Sequence, residues 1–265
     1  MEPTPRVGLD LTTPNPARIY DYSLGGAHNV AADRMVGDSI MAVTRNGRQV
    51  ARANRDFLRR SVRHCVHAGV TQFLDLGSGI PSVGNVHEIA KAVDPSSRVV
   101  YVDDEAVAVA QTRAALTGMD SAAVVRADLR DAVAVLDASE TRRLIDFDRP
   151  VALMTVAVLH YLDREEDMRT VLAPYHRLLV SGSYFVVSHA TADGREAEAA
   201  AVADRFATTT HRIHYRSRSE VQALFDGFSL VEPGVVWTSQ WRPDGESDGS
   251  EPSDSACWAG VGRRD

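Results

Sequence analysis

The chain has 265 residues, 44% of them hydrophobic and 25% charged, with a formal net charge of −7. This balance is typical of a soluble globular protein that buries one large core without disulfides or structural metal. The negative charge argues against a nucleic-acid partner held by phosphate neutralisation. The first ten residues lack the apolar stretch of a signal peptide, and the apolar run 151–159 is too short to span a membrane. We therefore expect a cytoplasmic protein without a membrane partner.

Two residue types exclude further classes of function. Lys91 is the only lysine among the 29 basic residues, and the sequence contains no phosphate-binding loop of the G-x-x-x-x-G-K-[ST] type. P-loop nucleotide hydrolysis is therefore excluded, and a Schiff-base enzyme would depend on Lys91 alone. Cys65 and Cys257 are too few for a disulfide framework. Since His64 and His67 have no evident third ligand, we predict no metal site.

The N-terminal part of the chain differs in pattern from the rest. A proline-rich arm covers 1–15, and helical periodicity follows over 16–69. Arginines recur at helical spacing at Arg48, Arg52, Arg55 and Arg59. We interpret them as a solvated basic face. The sequence predicts an N-terminal arm and helical cap over 1–70, followed by a second domain over 71–265.

From residue 71 onwards, valine-rich strands alternate with helical patterns. Strands are predicted over 72–76, 99–102, 123–125, 151–159 and 184–189. Helices are predicted over 86–93, 105–117, 130–144, 164–180 and 195–209. Apolar strands separated by helices indicate a parallel sheet covered on both faces. The predicted fold class is α/β: a three-layer, doubly wound, Rossmann-like sandwich with seven mostly parallel strands and an N-terminal helical cap.

Two further strands complete the predicted sheet. They cover 228–236 and 257–262 and follow a short helix near 219–225. The loop over 242–256 is rich in proline, glycine, serine and acidic residues, which predicts disorder. We expect the two strands to form an antiparallel hairpin at the sheet edge.

The most informative motif is F-L-D-L-G-S-G-I-P-S-V-G-N at 73–85, where a buried strand runs into a glycine-rich turn. Asp75 lies near the end of the strand, and Gly77, Ser78 and Gly79 form the turn. Glycines at this place let the backbone approach a ligand at the carboxyl end of the strand. These four residues are therefore candidates for ligand binding.

Carboxylates follow the next two predicted strands. Asp103 and Asp104 lie some two dozen residues beyond the glycines, where a carboxylate accepts hydrogen bonds from a ribose diol. Asp128 follows the third strand, where it could accept a hydrogen bond from an adenine amine. Any one of these aspartates is more often a helix cap or turn residue. In this order, at successive strand ends, they indicate one adenosine ligand.

The kind of adenosine ligand follows from the turn. A dinucleotide fold usually has a third glycine, but here Ser82 follows Pro81 at that place. Three features together resemble the class I S-adenosylmethionine-dependent methyltransferases. They are D-L-G-S-G at the end of the first strand, the acid at the end of the second strand, and A-D-L after the third. The resemblance implies that fold and S-adenosyl-L-methionine as cofactor. It implies cofactor contacts from Asp75, Gly77, Ser78, Gly79, Asp103, Asp104, Asp128, Leu129 and Ala157.

A second resemblance covers nearly the whole chain. The segments 16–34, 71–82 and 230–243 are similar to a little-characterised S-adenosyl methyltransferase family of high-GC Gram-positive bacteria. V-L-H ending at His160 also resembles many small-molecule methyltransferases, although Ser181 and Gly182 replace their Pro-Gly-Gly. The family implies the fold and the cofactor but no substrate.

Three residues are candidates for catalysis. His160 follows the fourth strand and could accept a proton from the methyl acceptor. Alternatively, its ring hydrogen-bonds a loop carbonyl and orders the turn after that strand. Tyr22 and His28 belong to the motif Y-x-Y-x-x-G-G-x-H-N that begins at Tyr20. This segment could close over the cofactor as a lid, or it could be a helix–turn–helix connection packed on the domain.

We therefore expect a methyltransferase that acts on an oxygen or nitrogen of a small molecule. The alternatives are a non-catalytic S-adenosylmethionine-binding sensor or regulator, and a nicotinamide-dependent oxidoreductase, which Pro81 and Ser82 disfavour. The sequence leaves the acceptor and the oligomeric state open.

Overall fold

The computed structural model describes residues 10–82, 84–163, 167–245 and 250–265. Its helices are α1 (Pro16–Ser23), α2 (Ala31–Met41), α3 (Gly47–His67), α4 (Val86–Val93), α5 (Ala106–Ala115), α6 (Ala132–Leu136), α7 (Ser139–Leu144), α8 (Met168–His176), α9 (Glu196–Phe206) and α10 (Arg218–Gln222). Its strands are β1 (Gln72–Leu76), β2 (Arg98–Asp103), β3 (Ala122–Arg126), β4 (Ala152–Val156), β5 (Tyr184–Ala190), β6 (Ser229–Leu230), β7 (Val236–Trp237) and β8 (Cys257–Arg263). None of the described helices is long and apolar enough to cross a membrane.

The described strands form an eight-stranded sheet in the order β3-β2-β1-β4-β5-β8-β6, and β7 also pairs with β8. Strands β1 to β5 pair in parallel, whereas β8 is antiparallel to β5. The chain runs outward from β1 to β3 and returns to β4 on the other side of β1. In such sheets, ligands bind beyond the carboxyl ends of the strands where the order reverses.

Alternate strand residues pack into two separate cores on opposite faces of the sheet. Leu74, on one face, packs in a core with residues of α6, α7 and α8, such as Val135, Leu144 and Leu172. Phe73, on the other, packs with residues of α3, α4 and α5, such as Val62. The predicted three-layer architecture is therefore confirmed.

Helix α3 lies in the second of these cores. Phe57, Val62 and Cys65 are fully buried in the same cluster as Phe73 and Met154 of the sheet. The boundary predicted at residue 70 therefore cuts through a continuous core. Helices α1, α2 and α9 contribute no residue to these two cores, and α1 and α2 form the helical cap.

Two of the predicted helices are shorter than their sequence pattern. The pattern over 130–144 forms α6 and α7, because Ala138 between them has an extended conformation. The helix predicted over 164–180 is α8, and its N-cap Asp167 accepts a hydrogen bond from the Arg169 amide at 3.0 Å. Residues 164–166 lie outside the described part of the chain.

The C-terminal strands differ from the predicted hairpin in detail. The segment 228–236 forms two short strands, β6 and β7, which both pair antiparallel with β8. Because β8 lies between β5 and β6, it is internal rather than at the edge. The prediction of disorder over 242–256 is wrong for the last part of this loop, since Asp254 accepts a hydrogen bond from Asn46 at 3.0 Å. Residues 246–249 are outside the described chain.

Candidate active site

A cavity of about 1130 Å³, counting its open mouth, lies at the carboxyl ends of β1 to β4. We call it the first cavity. Every residue predicted to contact the cofactor lines it: Asp75, Gly77, Ser78, Gly79, Asp103, Asp104, Asp128, Leu129 and Ala157. Residues that were not predicted complete the wall, among them Arg55, Arg130 and His211.

The glycine turn after β1 is held by the neighbouring strand. The amides of Gly77 and Ser78 both donate to the Val102 carbonyl, at 2.8 and 3.1 Å. Gly77 has φ +71°, and a Cβ atom there would lie 2.1 Å from the Val158 side chain. Gly79 has φ +67°, and a Cβ atom there would meet nothing within 4 Å. The turn therefore requires glycine at 77 for packing, whereas Gly79 leaves the cavity wall open to a ligand.

Asp103, at the end of β2, is tied to the same turn. Its Oδ2 accepts a hydrogen bond from the Gly79 amide at 2.7 Å, and its Oδ1 accepts one from the Glu105 amide at 2.9 Å. Burial raises the pKa of Asp103 to about 6. Each carboxylate oxygen keeps a further lone pair, so the group can still accept hydrogen bonds from a ribose diol.

Asp75 is only 4% exposed and faces the first cavity. Burial raises the pKa of its carboxyl to about 7, and the Arg55 guanidinium partly opposes this shift. No described residue donates a hydrogen bond to this carboxylate. A buried carboxylate in this state is suited to a cationic group on a ligand.

The adenine end of the predicted site is formed by the loop after β3. Asp128 is engaged by Arg130, which donates to it from its amide at 2.8 Å and from its guanidinium Nε at 2.9 Å. The Leu129 amide has no acceptor among the described residues. Donor and acceptor therefore stand on adjacent residues, as the edge of an adenine ring requires.

Asp104 is exposed and lies 3.6 Å from His211 Nε2. This contact raises the pKa of His211, principally through the side-chain hydrogen bond. Asp104 and His211 thus form a polar rim, and Asp103 is the buried carboxylate of the pair that follows β2.

The N-terminus of α4 argues against a dinucleotide. Glu88 accepts hydrogen bonds from the Gly84 and Asn85 amides at 2.9 and 2.8 Å. Its carboxylate thus occupies the amides that would bind a pyrophosphate in a dinucleotide fold. This agrees with the departure at Pro81 and Ser82.

A second cavity of about 920 Å³, again counting its open mouth, adjoins the first. Residues common to both walls are Pro16, Tyr20, Asn54, Ala157 and Tyr161. We call these residues the neck.

A chain of hydrogen bonds fixes the neck. The Ala157 amide donates to Ser188 Oγ at 3.0 Å, and that hydroxyl donates to Asn54 Oδ1 at 2.5 Å. Asn54 Nδ2 then donates to the Tyr20 hydroxyl at 3.0 Å, which donates to the Ala51 carbonyl at 3.1 Å. Ala157 has φ +58°, a strained conformation for a residue with a Cβ atom. The sheet and the cap are thereby held in one arrangement where the cavities meet.

His160 lies against the second cavity and is 4% exposed. Its Nδ1 accepts a hydrogen bond from the Ala190 amide at 3.2 Å, so the neutral ring carries its proton on Nε2. Burial, together with His189 and Arg216, holds the pKa of His160 well below its usual range. This arrangement favours the structural alternative over the proton acceptor, although the ring's partner is a backbone amide rather than a loop carbonyl.

Tyr22 and His28 line neither cavity. The Tyr22 hydroxyl donates to Asp38 at 2.7 Å, and the His28 side chain is exposed. The His28 amide donates to Asp21 at 2.9 Å. The segment is thus a helix–turn–helix connection, and Tyr20, rather than Tyr22, reaches the neck.

A buried ion network joins the cap to the first cavity. Arg18, 1% exposed, donates to Asp33 at 2.8 Å and to Glu105 at 3.1 Å. Asp33 also accepts hydrogen bonds from the Asn15 and Val30 amides, both at 2.9 Å. Because Glu105 caps α5 beside Asp103, this network positions α1 over the cavity wall.

A model of the S-adenosyl methyltransferase family matches residues 2–265. The chain belongs to this family. It is similar to the crystal structure of a proposed methyltransferase from Thermobifida fusca YX, with 38% identity over 99% of each chain and a TM-score of 0.91. A DUF574 family protein from Streptomyces avermitilis MA-4680 is 37% identical over 97% of this chain and 100% of that chain, with a TM-score of 0.94. A search of curated proteins gave no match. The chain is a class I S-adenosylmethionine-dependent methyltransferase.

The wall of the first cavity fits this cofactor. Besides the carboxylates and the free Leu129 amide, the Ser78 hydroxyl is buried without a hydrogen-bond partner. Within 10–82, 84–163, 167–245 and 250–265, no three His, Cys, Asp or Glu side chains converge to hold a metal ion.

Several wall residues of this methyltransferase were not predicted from the sequence. Arg55 belongs to the arginine pattern of α3, but its guanidinium turns inward and donates to the Gly84 carbonyl at 2.6 Å. Tyr161 follows His160 directly, but the V-L-H motif ends at His160 and carries no signal for the next residue. Asn54 carries no motif, so only the fold brings it to the neck.

Proposed function

We propose that this methyltransferase transfers the methyl group of S-adenosylmethionine, bound in the first cavity, to an oxygen or nitrogen of a small molecule in the second. The observation that carries the proposal is the neck, where the two cavities share a wall. A sensor that only binds the cofactor would need no second cavity there. The adjoining cavities therefore favour an enzyme with a separate acceptor site.

In the first cavity, three carboxylates and one backbone amide each bind a different part of the cofactor. Asp103 accepts the ribose hydroxyls, and Asp128 with the Leu129 amide contacts the adenine edge. Asp75 pairs with the ammonium group of the methionine part, beside Gly79. These assignments are supported by burial, by the unused lone pairs and by the absence of a described partner for Asp75 and the Leu129 amide.

When bound, S-adenosylmethionine supplies an electrophilic methyl group on a positively charged sulfur. The residues of this chain contribute mainly position and orientation, which can provide most of the rate enhancement of an in-line displacement. The neck holds the acceptor against the cofactor cavity and limits the access of water. His160 does not take the proton of an acceptor hydroxyl or amine, since its Nδ1 already accepts a backbone hydrogen bond. That proton leaves to solvent with the methylated product.

The test combines binding with product detection. Calorimetric titration with S-adenosylmethionine, S-adenosylhomocysteine and NADH measures cofactor choice, and mass spectrometry then detects methyl transfer to hydroxyl- and amine-bearing small molecules. We expect the first two ligands to bind and NADH not to bind. Binding of S-adenosylhomocysteine without transfer to any acceptor would favour the sensor, whereas tight NADH binding would contradict the site assignment.

Asp103→Ala and Asp120→Ala form a matched pair for this experiment. Asp120 is exposed and lies before β3, away from both cavities. We expect only the Asp103 variant to lose cofactor binding and transfer together.

A further inference from the structure

The second cavity has a mainly apolar wall. It is built by α1, α2, α3 and α9 together with the chain that follows β4 and β5. Large apolar side chains in this wall are Ile19, Ile40, Val50, Val202, Phe206 and Ile213. A wall of this kind binds a ligand chiefly by removing apolar surface from water.

Hydroxyl groups in the wall are used by the protein itself. Ser23 donates to the Ile19 carbonyl at 2.9 Å, and Thr44 donates to the Ile40 carbonyl at 2.9 Å. The Tyr20 hydroxyl is held within the hydrogen-bond chain of the neck. These groups therefore offer little recognition to a polar ligand.

The charges of the wall are paired with each other. Arg195 and Glu198 form an ion pair on the first turn of α9, where their side chains are 9% and 17% exposed. Arg195 also donates to the Ser253 carbonyl at 3.0 Å. Because this pair is neutral, a charged acceptor would lose its hydration without gaining a counter-ion.

Two polar atoms next to the neck lack a protein partner. No described residue hydrogen-bonds the Tyr161 hydroxyl or His160 Nε2. Both residues line the second cavity, and Tyr161 also lines the first. A single polar group on a ligand could be recognised here, beside the place where the two cavities meet.

We propose that the acceptor is an uncharged, mainly apolar ring compound with one hydroxyl or aromatic amino group, and that Tyr161 hydrogen-bonds this group at the neck. The inference rests on the proposed function, because it takes the second cavity as the acceptor site. A cavity of about 920 Å³ with its mouth is of the size that holds a compound of a few fused rings.

Three probes test this class directly by calorimetry on the protein saturated with S-adenosylhomocysteine. They are naphthol, naphthalene and a hydroxynaphthalene sulfonate, which share a ring system and differ in hydroxyl and charge. We expect naphthol to bind most tightly and the sulfonate to bind at least about tenfold more weakly, because a buried charge would lack a partner. Equal or tighter binding of the sulfonate overturns the proposal, and so does failure of all three to bind.

Matched variants locate the binding. Tyr161→Phe should weaken naphthol binding about three- to tenfold and leave naphthalene binding unchanged, since only one hydrogen bond is removed. Tyr184→Phe, at the amino end of β5 and in neither cavity, is the control.

Ala199→Phe, or Val202→Phe if the first does not fold, fills the second cavity and should abolish naphthol binding while S-adenosylhomocysteine still binds. Unchanged naphthol binding in a folded filled-cavity variant contradicts the proposal.

The acceptor class and the proposed function can be contradicted independently of each other. Methyl transfer to a charged acceptor would leave the function intact and overturn the acceptor class. Naphthol binding at Tyr161 without transfer to any hydroxyl or amine would keep the ligand class and contradict the function.

Discussion

Asp103 accepts one hydrogen bond from the glycine turn, at the Gly79 amide, and one from the Glu105 amide, and it is also the carboxylate that we assign to the ribose. Its replacement by alanine should weaken S-adenosylmethionine binding by about 1.5–3 kcal/mol, roughly a 10- to 150-fold loss of affinity. Asp103→Asn keeps one acceptor oxygen and should lose less. Calorimetric titration of both variants measures this, and an unchanged affinity in Asp103→Ala would remove the assignment.

Asp75 predicts a pH dependence of cofactor binding. Burial raises the pKa of its carboxyl to about 7 in the free protein. Below that pH the carboxyl is neutral and must release a proton before it can pair with an ammonium group, so affinity should rise as the pH increases from about 6 to 8. Binding in this range should also release protons into the buffer. Asp75→Asn should lose both effects above about pH 7, whereas Asp103, whose pKa burial raises to about 6, still titrates below that pH. An equal pH dependence in that variant across the whole range would assign it to another group.

Replacing His160 distinguishes its two possible roles, proton acceptor and structural residue. His160 Nδ1 accepts a hydrogen bond from the Ala190 amide, so His160→Ala should lower the free energy of unfolding by ~1–2 kcal/mol. The loss of turnover in this variant should follow the loss of folded protein. Thermal unfolding and steady-state rates on the same preparation test this. A fall in turnover of about 10²–10⁴ with normal stability would instead support the base.

At the scale of elements, the cap formed by α1 and α2 depends on a buried ion pair. Arg18→Met should destabilise the protein by about 3–5 kcal/mol, because Asp33 would remain charged and buried. Chemical denaturation measures the loss, with the exposed Arg34→Met as the control on α2. A loss below ~1 kcal/mol would mean that the cap is held mainly by other contacts.

The position of the cap also predicts a response to the cofactor. Asn15, Pro16, Ala17 and Tyr20 line the first cavity, so a bound ligand should reduce the opening of α1. We expect hydrogen exchange in residues 18–30 to slow when S-adenosylhomocysteine is added. Protection confined to the glycine turn would show that the cap does not respond to the ligand.

Elements with a clear local pattern of apolar residues and turns could be predicted from the sequence, and elements without one could not. Parallel strands such as β1 and β4 are buried along their whole length and mainly apolar, and each ends in a recognisable turn, so their order along the chain predicts the fold. The split of 228–236 into β6 and β7 coincides with Glu232, Pro233 and Gly234, a turn sequence that interrupts the apolar residues and that the prediction of one strand does not take into account. Helix α3 was assigned to the cap because amphipathic periodicity does not say which core a helix enters.

At the scale of the whole molecule, the two cavities differed in how far the sequence predicted them. The cofactor residues lie at successive strand ends, where local motifs carry the chemistry. The second cavity is assembled from α1, α2, α3 and α9, which are far apart in sequence and meet only through tertiary packing. The motif that begins at Tyr20 predicts Tyr22 and His28 as site residues although Tyr20 reaches the neck, because the motif marks the segment but not the face of the helix.

The central claim is that the first cavity holds the cofactor and the neck is where the methyl group passes to the acceptor. A crystal structure with S-adenosylhomocysteine tests this most directly. We predict the ribose hydroxyls on Asp103, the adenine edge at Asp128 and Leu129, and the sulfur atom towards the neck at Ala157 and Tyr161. A ligand bound outside the first cavity, or one whose sulfur faces away from the neck, would contradict the account.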